Sequence, residues 1–129
     1  MRVLDVLALA SAAGLAACGP QPIVLRPQEP PTGVDGRYRG TVRLVRADSR
    51  YCPRSGPRVL EVSGGQITLS YSGDAQRSRV PLTAAISGDG RIQASDGTGA
   101  MDGQYRDGQL GITISSRTCE HRWSLSKVR

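Results

Sequence analysis

From residue 36 onward the chain alternates apolar and polar residues and breaks the alternation with glycine turns, a pattern that builds short antiparallel strands and leaves no helix candidate. Eight runs carry this period of two: 37–45, 58–63, 66–71, 79–87, 91–95, 100–106, 109–115 and 119–128. One face of each run is apolar, as with Tyr38, Val42 and Leu44 in the first, Val80, Leu82, Ala84 and Ile86 in the fourth, and Trp123 and Leu125 in the last. The expected fold is all-β: a small eight-stranded antiparallel up-and-down β-barrel with one disulfide.

A weak repeat joins the runs. Gly64-Gly65-Gln66-Ile67, Asp89-Gly90-Arg91-Ile92 and Asp107-Gly108-Gln109-Leu110 each put a two-residue hairpin turn between alternating segments. In a meander these connections, second to third, fourth to fifth and sixth to seventh, all lie at one end. The chain enters its first strand at that same end. The opposite end carries the longer loops, 46–57, 72–78, 95–99 and 116–118. The glycine-rich stretch 97–103 is the expected weak point in closing the barrel.

The N-terminus has a different character. Arg2 supplies a positive charge, residues 6–17 are apolar and small, and Leu15-Ala16-Ala17-Cys18 is similar to the lipobox of bacterial lipoproteins, although Asp5 is unusual at the start of the apolar stretch. About 12 apolar residues fall short of the ~20 needed to span a bilayer. The resemblance implies that residues 1–17 are a signal peptide and that Cys18 becomes a lipid-bearing first residue holding the protein to a membrane. Gly19 and Pro20 stand where inner-membrane retention would require aspartate, which implies the outer membrane. Residues 18–35, with Pro20, Pro22, Pro27, Pro30 and Pro31, read as an extended lipidated tether, and 36–129 as the β-barrel domain.

With Cys18 assigned to lipid, Cys52 and Cys119 remain as an even pair in a chain bound for an oxidising compartment. Cys52 lies in the first long loop and Cys119 opens the last strand, so a barrel that places its first and last strands side by side brings both to one end. A disulfide is expected there. It would close a loop of about 68 residues and stabilise the domain by about 4 kcal/mol on chain-entropy arithmetic. Two lone cysteines with a single histidine lack the ligand clustering of a zinc site, and no metal or other cofactor is expected.

The net charge is +6, carried almost wholly by arginine, since Lys127 is the only lysine. Arg46, Arg50, Arg54 and Arg58 are spaced through the first long loop and its edges, and Arg77, Arg79, Arg117 and Arg122 belong to other segments at the same end. Asp48, Asp74, Asp96 and Glu120 oppose them. The resulting positive rim suits bidentate contact with phosphate or carboxylate. Arg46, Arg50, Arg54, Arg58, Arg77 and Arg117 are the candidate partner-binding residues, and an anionic envelope component or protein is the candidate partner; nucleic acid is not expected at that location.

Other residue types point to packing. His121, the only histidine, shares its parity with Trp123 and Leu125 and should face inward as a packing residue. No nucleophile motif accompanies it, so the chain is read as non-catalytic. Asp74, Asp89, Asp96, Asp102 and Asp107 sit in or beside glycine turns, where aspartate accepts backbone hydrogen bonds. Inward Tyr38, Tyr71, Tyr105 and Trp123 would fill the interior of eight strands, or else line a small-ligand cavity. Gly36-Arg37-Tyr38, the cysteine pair and the strand number resemble those of bacterial protease-inhibitor lipoproteins, although that family usually has tryptophan where Tyr38 stands. The likeness implies, as a second reading, an N-terminal segment that enters a protease cleft.

Overall fold

The computed structural model describes residues 29–73 and 79–129, so Cys18, the signal segment and Arg77 lie outside the described residues. The eight expected runs all form strands, with ends moved by no more than two residues: β1 (Gly36–Ala47), β2 (Gly56–Val62), β3 (Gln66–Ser72), β4 (Arg79–Ala85), β5 (Arg91–Ser95), β6 (Gly99–Arg106), β7 (Gln109–Ser116) and β8 (Cys119–Lys127). Every pairing is antiparallel, and β1 lies between β2 and β8.

Two of the glycine turns are two-residue hairpin turns. Gly64 and Gly65 have φ of 59° and 69°, and Asp107 and Gly108 have φ of 49° and 79°, both left-handed pairs that match the twist of the flanking strands. The Asp89-Gly90 connection departs from expectation. Gly90 N donates to Ser87 O and Ser87 N to Arg91 O, with Gly90 alone at positive φ, so three residues turn the chain.

The strands form two sheets, and neither closes on itself. One runs β2-β1-β8-β7-β6-β5 and the other is the β3-β4 hairpin. The glycine-rich segment expected to gape does not, because β5 and β6 pair continuously from Arg91↔Gln104 to Ser95↔Ala100. The seams fall instead between β2 and β3 and between β4 and β5. Each is fastened at the tight-turn end by one bridge, Ser63↔Gln66 and Ile86↔Ile92.

Proline removes one further donor from each seam. Ser63 N donates across to Gln66 O, so by alternation the odd residues of β2, Pro57 among them, present their backbone toward β3. Ile86 N donates to Gly65 O on the β3 side, which turns the odd residues of β4, including Pro81, toward β5. Each seam therefore has a proline lacking a donor on one of its strands, nearer the loop end.

The two sheets share one core. Tyr38, Leu60, Val62, Ile92, Met101, Ile112 and Leu125 from the large sheet pack with Ile67, Leu69, Tyr71, Leu82 and Ala84 from the hairpin. Tyr38, Ile67 and Ile92 are fully buried. Tyr71 is buried as well, while Tyr105 and Trp123 are partly buried against the same cluster. These aromatics occupy the interior rather than frame an opening.

The end of the presumed tether belongs to the domain. Val34 is buried and its carbonyl accepts from Tyr38 Oη at 2.6 Å. The Asp35 carboxylate accepts from the amides of Gly64 and Gly65 at 2.9 and 2.8 Å, satisfying donors that the tight turn leaves open. Lys127 Nζ donates to Gly33 O, tying the last strand to the entering segment. Chain entry and the tight turns thus share one end, as the strand count requires.

Candidate functional site

At the other end, the first long loop is fixed by a covalent bond and by backbone contacts. Cys52 and Cys119 form the expected disulfide, with Cα atoms 5.6 Å apart. The β1–β8 register pairs Ala47 with Cys119, so the strand neighbours anticipated for the bond are neighbours in the fold. Asp48 N donates to Thr118 O at 2.8 Å, and Leu44 N to Ser55 Oγ at 2.8 Å. His121 faces inward and is buried, and its Nε2 stands 2.8 Å from Pro53 O. A carbonyl can only accept, so Nε2 carries the proton and the ring acts as a strut under the loop.

The arginines of the rim separate into two groups by what their guanidinium groups meet. Arg46 donates to Ser116 O at 2.7 Å and Arg117 O at 3.0 Å, and forms an ion pair with Asp48 at 2.5 Å, joining the first loop to the last turn. Arg58 donates to Arg54 O and Pro57 O, each at 2.8 Å. Arg79 reaches Ser72 Oγ at 2.7 Å and Tyr51 O at 3.2 Å, spanning the open loop end of the β2/β3 seam. These side chains hold the loops together, a role that their spacing in sequence does not distinguish from binding.

The second group faces solvent. Arg50 lies 5.0 Å over the Tyr51 ring and donates to its hydroxyl at 2.9 Å, a stacked arrangement that leaves the rest of its fork outward. Arg54 and Arg117 are exposed and make no side-chain hydrogen bond or ion pair with the described residues. Of the six arginines read as partner-binding, Arg50, Arg54 and Arg117 keep donors available, and Arg46 and Arg58 are engaged with the chain itself.

One buried-to-surface link at this end went unread in the sequence. Tyr71 Oη donates to the Asp96 carboxylate, whose other oxygen accepts from the amides of Thr98 and Gly99 at 2.9 and 2.8 Å. The Tyr71 hydroxyl first, and then these amides, hold the Asp96 carboxyl below the usual carboxylate range. Asp96 is therefore a turn residue, as expected, and also the anchor of β3 to the β5–β6 loop. Compared with protein-family models, curated proteins and solved structures, the chain matches none.

Proposed function

We propose that this protein is a non-catalytic, lipid-anchored interaction module of the bacterial outer membrane, tethered through Cys18 and presenting Arg50, Arg54 and Arg117 to an anionic envelope partner. The observation that carries the reading is the opposition of the two ends. The chain enters beside Gly64 and Gly65, and the disulfide-fixed loop with its outward guanidinium groups lies at the far end. A tether at one end leaves the other to meet a partner. Planar guanidinium forks at a cross-linked loop end suit phosphate or carboxylate oxygens, because little loop ordering is left to oppose binding.

In this reading the eight strands act as a barrel, hydrogen-bonded through six of them and closed across the seams by a shared core and by Arg79. Carriage of a small ligand is the weaker reading, since core side chains fill the space between the sheets. The inhibitor reading is also weaker, because Val34 and Asp35 are held against the domain rather than free to enter a cleft.

The test is capture from crosslinked envelopes with the full chain and with Arg50, Arg54 and Arg117 all changed to Ser. The proposal expects an anionic species retained by the wild type and lost from the variant. Equal capture by both would refute it, as would membrane association that is unchanged when Cys18→Ser is introduced into the wild type.

A further inference from the structure

A second basic surface lies on the side of the molecule, away from the loop end. Arg37, Arg39 and Arg43 are exposed along β1, and Arg122 of β8 stands directly opposite Arg43 in the register. None of the four forms an ion pair or side-chain hydrogen bond with the described residues. Like charges facing each other on one sheet surface destabilise it. Arginine is sparser on the other faces: the outer positions of the hairpin include Thr68, Ser70, Pro81 and Thr83, with Arg79 at the loop end, and on β5 and β6 Arg91 and Arg106 are accompanied by Asp102.

Beside this row the sheet surface carries a depression. It has a volume of about 600 Å³ and lies on β6, β7 and β8, lined by polar residues that include Gln104, Arg106, Asp107, Gln109, Ser124 and Ser126, with Gly111 among them. Gly111 opens it, since a β-carbon there would meet nothing within 4 Å. Arg39 is the cross-strand partner of Ser126, so the arginine row borders the depression directly. Amides, hydroxyls and a guanidinium around an open floor match the hydroxyl groups of a sugar, and the row beside it matches a line of carboxylates.

We propose that this face binds an acidic polysaccharide, its carboxylates paired with Arg39, Arg43 and Arg122 and a sugar ring seated over Gly111. Along β1, Arg39 and Arg43 stand about 14 Å apart with Thr41 between them, and Arg122 lies beside Arg43 across the strand pair, so the face offers positive charge at two points along the strand direction to carboxylates spaced along a linear polyanion. A flat bilayer does not enter the depression. An acidic peptide finds no strand edge to extend, because β1, β8, β7 and β6 are each paired on both sides. The inference is independent of the loop-end reading and uses different arginines.

The probe is sodium polygalacturonate, titrated into the full chain by calorimetry, with its methyl-esterified form and phosphatidylglycerol vesicles as comparisons. The wild type should bind polygalacturonate, and should bind the ester at least tenfold more weakly. Changing Arg39, Arg43 and Arg122 together to Ser should weaken binding at least tenfold. Gly111→Gln, which projects a side chain into the depression and leaves the charge intact, should weaken it several-fold, while Arg50, Arg54 and Arg117 changed to Ser should leave it as it was. An unchanged thermal midpoint shows that each variant is folded. The proposal is overturned by wild-type failure to bind, by full affinity in Gly111→Gln, by binding of vesicles in preference to polygalacturonate, or by loss confined to the loop-end variant, which would assign the polyanion to the loop end instead.

Discussion

The ring of Tyr71 lies so close to Gly99 that a β-carbon on that glycine would stand 2.4 Å from Cε1. Tyr71 is buried and hydrogen-bonded to Asp96, so it cannot swing aside without giving up that partner. Gly99→Ala is therefore expected to destabilise the domain by about 1–3 kcal/mol through overpacking. Urea unfolding followed by Trp123 fluorescence measures it. A variant as stable as the wild type would show that the ring moves freely and that the Tyr71–Asp96 link contributes little.

Arg46 and the outward rim arginines should behave differently on truncation. Arg46→Ser removes two bonds to backbone carbonyls and the Asp48 pair, and a loss of about 1–2 kcal/mol is expected, reduced from a buried value because the side chain is partly exposed. Arg54→Ser and Arg117→Ser should each stay within about 0.5 kcal/mol of the wild type. Thermal unfolding of the three variants decides it, and equal effects would contradict the division of the rim into structural and free guanidinium groups.

The contrast shows how far the chain could be read in advance. Strand positions were legible because alternation and glycine turns are local signals, and the disulfide because Cys52 and Cys119 follow from strand counting. The division of the arginines was not, since Arg46 and Arg117 look alike until the Ser116 and Arg117 carbonyls are placed beside one of them. The seams were misplaced for a related reason. The glycines of 97–103 looked like the weak stretch, yet pairing depends on which way each backbone donor points. That direction is known only once the turn hydrogen bonds of Ser63 and Ile86 fix the alternation. The depression over Gly111 depends on the neighbours three adjacent strands bring together, which no single strand's pattern discloses.

Tyr38 should make the domain sensitive to alkali. Burial, and then the neighbouring Tyr105, push its phenol up to about 12, against an ordinary 10.0. Below about pH 10 it is protonated in both folded and unfolded chains. Between about 10 and about 12 the unfolded chain ionises while the folded one holds its proton, so stability falls as pH rises through that window. Unfolding free energy measured from pH 9 to 12 should show this slope (in addition to any from other tyrosines), and Tyr38→Phe should flatten it while losing the bond to Val34 O, about 1 kcal/mol. An unaltered slope in the variant would place the alkaline sensitivity elsewhere.

The seams make a residue-by-residue expectation for amide exchange. Within β2, even residues such as Leu60 direct their amides to β1, and odd residues such as Val59 direct theirs across the β2/β3 seam, where the only bridge is Ser63↔Gln66. Within β4, Leu82 points to β3 and Thr83 to the β4/β5 seam. Native-state exchange followed by NMR should find Leu60 and Leu82 among the protected amides and Val59 and Thr83 exchanging faster by at least tenfold, since no ladder partner shields them. Because neighbours in sequence are compared, differences in regional stability cancel. Equal protection of all four would mean that the strands zip together and the barrel is continuously hydrogen-bonded. Fast exchange of all four would mean that the hairpin and the edge strand open as units.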